Sequence, residues 1–212
     1  SVKTCVDIGC ATGEHSVELH ALFKDAHTIA IDSSVNMILL AKQRYSIANL
    51  EFKAAGFDYL NELSNIDLIV SNASMQWFEN IEHFFKILSR VSGSNTHVLL
   101  SAFLPGTYNQ LAMAIRACLN PDFYIPAETF YTEATYINLV KSYVPGLNVS
   151  VHHITTTFSS VTELLKSIQL TGVSVPGHQL KFTKRSLNQL LYLALFHLLQ
   201  RPSIRLHVHR EQ

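Results

Sequence analysis

Apolar and polar positions alternate between two periods over the first hundred residues of the chain. Short apolar runs and period-2 patterns predict strands at Thr4–Ile8, Thr28–Asp32, Leu50–Ala54, Ile66–Ser71 and His97–Phe103. Between them, apolar residues spaced for one face of a helix predict helices at Glu14–Phe23, Val35–Tyr45 and Ile81–Val91, with a weaker one near Asp58–Ser64. Strand and helix in regular alternation imply a mainly parallel sheet joined by right-handed crossovers. After Phe103 the rhythm changes. Helices are expected at Gly106–Leu119 and Glu133–Tyr143, separated by the proline-containing connection Asn120–Thr129, and Pro145-Gly146 ends the second. A β-branched strand at Val149–Phe158, helices at Val161–Leu170 and Thr183–Gln200, and an alternating, half-exposed strand at Ile204–Val208 complete the expectation. No internal repeat or low-complexity segment interrupts the pattern.

Composition narrows the class. At 212 residues with 48% hydrophobic content the chain can bury a sizeable core, and a single domain over 1–212 is expected. Sixteen basic residues balance sixteen acidic ones, which argues against a general nucleic-acid binder. Cys5, Cys10 and Cys118 form neither a C-x-x-C pair nor a metal spacing; the first two read as small buried residues in a reducing, cytoplasmic protein. No basic-then-apolar leader opens the chain and no apolar run reaches the length of a membrane span, so no membrane partner is expected. The most apolar segment, Leu190–Leu199, is broken by His197 and reads as a buried helix. His207 and His209 share a strand face but lack a third ligand, and no metal is expected.

The chemistry concentrates where the first strand ends. Val6-Asp7-Ile8-Gly9-Cys10-Ala11-Thr12-Gly13 closes that strand, turns through small residues and enters a helix; a second strand then ends in Asp32. Glycines at such a turn let backbone approach a ligand, and an acid about twenty residues on can accept both hydrogens of a ribose diol. The pattern predicts a nucleotide-type cofactor site at the start of a βαβ unit. The nicotinamide fingerprint needs a third glycine where Glu14 stands, and a pyrophosphate disfavours the nearby Asp7. An ammonium and a sulfonium would favour both acids. Ala11 holds the place of the middle small residue, and its methyl is compatible with a negative φ there.

The loop resembles motif I, D-x-G-x-G-x-G, of the class I S-adenosylmethionine-dependent methyltransferases. That resemblance implies a Rossmann-like seven-stranded α/β sheet of order 3-2-1-4-5-7-6 with strand 7 antiparallel, and helical insertions after strands 5 and 6. It implies S-adenosylmethionine as cofactor, with Asp7 orienting the methionyl ammonium, Gly9, Ala11 and Gly13 giving backbone access, and Asp32 and Ser33 at the ribose. Met37 would lie on the adenine, and Asp58, in Gly56-Phe57-Asp58, would meet its amino group despite the extra Phe57. Family members place one or two helices before the first strand; this sequence opens about four residues ahead of it, which reads either as a fragment or as a domain lacking that cover.

A second segment, Ser71-Asn72-Ala73-Ser74-Met75-Gln76-Trp77-Phe78, follows the fourth strand. Amine methylases of nucleic-acid bases usually carry N-P-P-[YF] there. This segment is similar instead to the S-N-x-x-x-Q-W of malonyl-(acyl-carrier protein) O-methyltransferases and to the N-A-x-x-Q-W of trans-aconitate methyltransferases. The former resemblance continues loosely through Val151-His152-His153-Ile154, Leu164–Val173 and Phe182–Leu187. It implies a carboxylate acceptor, with Asn72 at the cofactor and Gln76 and Trp77 as positioning residues; a core tryptophan beside a satisfied amide is the other reading of that pair. A carboxylate is already ionised at neutral pH, so methylating it requires no general base, and no catalytic residue is assigned. An acidic substrate still needs a clamp, for which Arg116, Lys184, Arg185, Tyr108 and Tyr131 are candidates. From residue 181 to residue 210 the chain carries six Lys and Arg and no acid, a face suited to an acidic acyl-carrier protein. Three readings stay open: a malonyl-carrier-protein methyltransferase, a small-acid methyltransferase of the trans-aconitate type, and a catalytically degenerate methyltransferase-fold binding protein.

Overall fold

The computed structural model describes residues 1–166 other than 119, 153–155, 161 and 165. The described chain falls into two compact units: Ser1–Phe103 with Tyr131–Val151, and Leu104–Phe130 with the described residues beyond Val151. The first unit is built on five parallel strands, β1 Thr4–Ile8, β2 His27–Asp32, β3 Leu50–Ala54, β4 Leu68–Ser71 and β5 His97–Leu100, in the order β3-β2-β1-β4-β5. β1 pairs with β2 on one side and β4 on the other, so Asp7 stands in register with both Ala30 and Val70. The strand order reverses between β1 and β4, and in open α/β sheets ligands bind at the carboxyl ends of the strands at such a switch point.

Burial explains the strands. Cys5, Val6 and Ile8 of β1, Ile29, Ala30 and Ile31 of β2, and Leu68, Ile69 and Val70 of β4 are all buried. Such near-continuous apolar runs are what a parallel sheet covered on both faces requires. Each fully buried aliphatic or Phe side chain contributes about 1.5–3 kcal/mol.

The helices have local causes as well. α1 (Glu14–Leu22) starts on Gly13, in the left-handed region at φ 89°, with no side-chain cap. α2 (Val35–Arg44) is capped by Ser34 Oγ, which accepts from the Met37 N–H at 3.4 Å. α3 (Ile81–Val91) is capped by Asn80 Oδ1, which accepts from the His83 N–H at 2.9 Å; its stripe of Ile81, Phe84, Phe85, Ile87 and Leu88 is buried. The sheet-facing side of α1 is partly polar. Ser16 and His20 are buried there, satisfied by Asp7 and by Thr28, whose Oγ1 lies 3.0 Å from His20 Nδ1.

In the second unit, α4 (Asn109–Cys118) buries Ala112, Ala114 and Ile115, and a 3-10 turn at Pro126–Thr129 follows it. α5 (Glu133–Tyr143) returns to the first unit, capped by Thr132 Oγ1 from the Thr135 N–H at 3.2 Å.

Three expectations change. Asp58–Ser64 is a 3-10 helix at Phe57–Glu62, not an α-helix. The fifth strand stops at Leu100, because Ser101 turns its side chain and backbone to the loop after β4. The described residues between Val149 and Phe158 carry no strand; those from 162 begin a helical turn, where Ser160 Oγ accepts from the Glu163 N–H at 3.2 Å. Most of the Val161–Leu170 helix, the Thr183–Gln200 helix and the Ile204–Val208 strand, and with it the antiparallel seventh strand, lie outside the described residues.

Candidate functional site

The loop leaving β1 is shaped by backbone geometry. Gly9, Ala11 and Gly13 all adopt positive φ, at 75°, 47° and 89°. Gly9 and Gly13 are glycines for steric reasons too. A methyl on Gly9 would overlap Ser74 Oγ and Cβ, and one on Gly13 would lie 2.6 Å from the Phe52 ring. Ala11 corrects the expectation of a negative φ: its methyl is carried in the left-handed region, at a cost of about 1–2 kcal/mol. What holds it there is Asp32, whose Oδ2 accepts the Ala11 N–H at 2.9 Å. Asp32 Oδ1 accepts the Ser34 N–H at 2.8 Å. The Gly9 and Cys10 N–H groups donate to Ile31 O at 2.8 and 3.0 Å, so the loop is tied to the end of β2 from both sides.

Asp7 is buried, at 1% exposure. Its Oδ2 accepts from Ser16 Oγ at 2.6 Å and lies 3.3 Å from His15 Nδ1. The carboxylate therefore fastens the first turn of α1 beneath the loop. Its hydrogen bond holds the His15 imidazole pKa above the ordinary histidine value, against the opposing effect of burial. Burial, reinforced by Asp7, pushes the Cys5 thiol up to about 12, and the Cys10 thiol is raised by the same causes. Both sulfurs remain protonated and inert at neutral pH. Beyond the loop, Ser33 is exposed and Met37 half-buried at the start of α2. Thr12, Glu14 and Arg44 form an exposed hydrogen-bonded chain that links the loop to the end of α2.

The segment after β4 is shaped by side chains instead. Ser101 Oγ, on the residue after β5, accepts the Ala73 N–H at 2.8 Å and donates to Asn72 Oδ1 at 2.6 Å. Gln76 is buried, at 6% exposure; its Nε2 donates to Ala73 O at 2.7 Å and its Oε1 accepts the Phe103 N–H at 3.4 Å. Ala73 is held at φ 51° by these bonds. The satisfied amide is Gln76, but Trp77 is 49% exposed, which overturns a core tryptophan. Ser74 lies against Gly9, so the two loops meet.

The remaining candidates divide. Asp58 is exposed and paired with His83, whose Nε2 lies 2.8 Å from Asp58 Oδ1. The extra Phe57 turns into an aromatic cluster with Phe78 and Phe84, at ring-centroid distances of 4.8 and 5.4 Å. Tyr131 donates its hydroxyl to Phe78 O and Glu79 O, each at 2.9 Å, supporting the end of the second loop. In the second unit, Arg116 donates from Nε to Phe123 O at 2.7 Å and pairs with Glu128, and Tyr108 is half-buried at φ 57°. The Arg116 guanidinium is thus spent within its own unit. Lys184, Arg185, His207, His209 and the basic run 181–210 lie outside the described residues.

Pattern reading missed His15, Ser16, Ser101 and Phe57. The first two fall on what a helical wheel treats as polar positions, and Ser101 is one serine among many. Phe57 had a signal, since it shares its aromatic character with Phe78 and Phe84.

A parallel sheet ending in a glycine loop, an acid at the end of β2 and a second loop after β4 define a nucleotide-cofactor α/β protein. The chain belongs to the methyltransferase domain family, whose model matches residues 1–171. The malonyl-[acyl-carrier protein] O-methyltransferase of Bacillus cereus is 26% identical over 174 residues, 80% of this chain and 64% of that protein. The chain thus spans just under two thirds of that relative's length. Among solved structures, the plantazolicin methyltransferase BamL aligns over 100% of this chain and 78% of its own with TM-score 0.59 and 15% identity. The YcgJ protein of Bacillus subtilis aligns over 100% and 93% with TM-score 0.60 and 13% identity. These likenesses establish the fold. No helix among the described residues is long and apolar enough to cross a membrane.

Proposed function

We propose that the chain binds S-adenosylmethionine and transfers its methyl group to a carboxylate, with malonyl-acyl-carrier protein as the acceptor. The observation that carries the reading is the meeting of the two loops, Ser74 against Gly9, at the carboxyl ends of β1 and β4. The residues fit the cofactor. Each Asp32 oxygen accepts one backbone N–H, which leaves a lone pair on each for the two hydroxyls of a ribose. Ser33 and Met37 flank that position on the way into α2. Asp7, sealed beneath the loop, supplies negative charge toward a cationic ligand rather than direct contact. Asp58 reaches an adenine only in company with His83.

The bound cofactor supplies an electrophilic methyl: the acceptor oxygen bonds to its carbon as the carbon–sulfur bond breaks, the electron pair passing to sulfur. No proton moves when the acceptor is a carboxylate, so the protein's task is to position it and exclude water. Asn72, Gln76 and Trp77 belong to the loop that would do this. A carboxylate acceptor is supported by the resemblance of that loop to S-N-x-x-x-Q-W and by the curated relative's name. An acyl-carrier-protein partner rests on the same relative and on the basic run 181–210.

The test is direct. Purified protein with S-adenosylmethionine and malonyl-acyl-carrier protein is expected to give a methyl ester by mass spectrometry. Free tricarboxylic acids in place of the carrier-linked substrate separate the trans-aconitate type. Calorimetry showing no S-adenosylmethionine binding would sink both and leave a degenerate binding protein.

A further inference from the structure

Resting on a methyl-transfer site between the two loops, we propose that Ser101 fixes the Asn72 side-chain amide so that its NH2 group, and not its carbonyl, faces the acceptor and donates a hydrogen bond to a carboxylate oxygen. The argument is an accounting of donors and acceptors in the segment after β4. The Ala73 N–H can only donate, and it is shared between Ser101 Oγ at 2.8 Å and Ser101 O at 3.1 Å. The Ser101 hydroxyl hydrogen then takes Asn72 Oδ1, at 2.6 Å. That separation is short for an N–H donor and ordinary for O–H to O, so the amide is oriented with its carbonyl toward Ser101. Asn72 is exposed at the carboxyl end of β4, beside the strand that ends in Asp7-Ile8-Gly9. Its two N–H donors are therefore presented outward.

The rest of the segment points the same way. Ala73 O is taken by Gln76 Nε2 at 2.7 Å, Ser74 O by the Trp77 N–H at 3.0 Å, and Met75 O by the Phe78 N–H at 3.1 Å. Each of these carbonyls already accepts one hydrogen bond, so only a second lone pair is left on each for the hydrogens of an amine. An anionic oxygen needs donors, and Asn72 offers two. Ser101 thus acts as a positioning residue, selecting an acceptor class through the orientation of its neighbour. Nothing in the segment Ser71–Phe78 alone encodes this, because the orienting hydroxyl sits 29 residues away, just past the end of β5.

Two readouts test it. In steady-state methylation, Ser101→Ala is expected to raise KM for malonyl-acyl-carrier protein about tenfold at near-unchanged kcat. Ser101→Thr, which keeps the hydroxyl, should restore the wild-type KM. Asn72→Asp, which replaces the donor by an anion, should raise KM about 100-fold or more. S-adenosylmethionine affinity by calorimetry should stay within twofold in Ser101→Ala and Ser101→Thr. In a titration of the 15N-labelled chain with sodium malonate, the Asn72 side-chain NH2 resonances are expected to move saturably in wild type and Ser101→Thr and to stay still in Ser101→Ala. Equal movement in Ser101→Ala, no movement in wild type, or a loss confined to cofactor affinity overturns the assignment. Should the wild type bind malonate as described yet form no methyl ester, the amide assignment stands and the proposed activity falls.

Discussion

The two loops that meet at Gly9 and Ser74 are held by different physics. The loop after β1 is a backbone structure: three positive-φ residues in five, fastened by the Asp32 carboxylate and by Ile31 O. The loop after β4 has one such residue, Ala73, and takes its shape from the Ser101 hydroxyl and the Gln76 amide. A backbone-built loop suits a ligand common to many proteins, since its contacts are peptide groups that every sequence has. A loop built from side chains suits the part that varies between substrates, since single residues re-aim it. The first loop announces itself through glycine; the second is intelligible only with its distant partners in view.

The largest effect should come from joining the two. Gly9→Ala puts a methyl into Ser74 Oγ and Cβ at φ 75°, and is expected to cost roughly 3 kcal/mol of stability, read by chemical denaturation. In Gly9→Ala/Ser74→Gly the collision is gone, and only the left-handed cost of about 1–2 kcal/mol should remain. Equal losses in single and double variants would show that the loops do not meet as described.

Asp32→Ala should weaken S-adenosylmethionine binding at least about 100-fold, roughly 2.8 kcal/mol, by calorimetry. It also leaves the Ala11 and Ser34 N–H groups without their acceptor, so melting should fall as well, by about 1–2 kcal/mol. Unchanged affinity would count against the whole cofactor assignment.

Ala11→Gly and Ala73→Gly make a matched pair, one from each loop, at φ 47° and 51°. Each relieves a left-handed alanine and loosens the unfolded chain, for a net gain of about 0.5–1 kcal/mol. Ala11→Gly should leave methyl-acceptor KM alone, whereas Ala73→Gly, by loosening the segment beside Asn72, should raise it. The reverse pattern would exchange the roles given to the two loops.

The smallest effect concerns His15. Its folded pKa is raised by Asp7, with Glu18 adding to it, so its stabilisation is complete below the ordinary value of 6.5 and vanishes as pH rises through the folded value. Thermal melts of wild type should therefore lose stability relative to His15→Gln as pH rises above about 6.5. Parallel pH profiles would mean that Asp7 holds α1 through Ser16 alone.

Apolar pattern located β1, β3, α3 and α5 to the residue, because parallel strands and amphipathic helices are read from which side chains must leave water. It overextended the fifth strand, since Ser101 is apolar-flanked yet belongs to the second loop. It also expected an α-helix at Asp58–Ser64, where Phe57 is drawn instead into rings from two later elements. The Asp7–Gly13 and Asp32 positions were legible because glycine and a strand-end acid leave a local trace. The amide orientation at Asn72 left none.

What the sequence determined by itself is the order of elements over the first hundred residues, the division of polar and apolar faces, and the place of the glycine turn between β1 and α1. Each is a property of neighbouring residues and their solvation. What only the tertiary structure decided is which polar groups satisfy one another across the sheet: Ser16 with Asp7, Asp32 with the Ala11 N–H, and Ser101 with Asn72. Hydrogen bonds need atoms within about 3 Å, and only the packing of α1 on β1 and the pairing of strands far apart in the chain bring these atoms there.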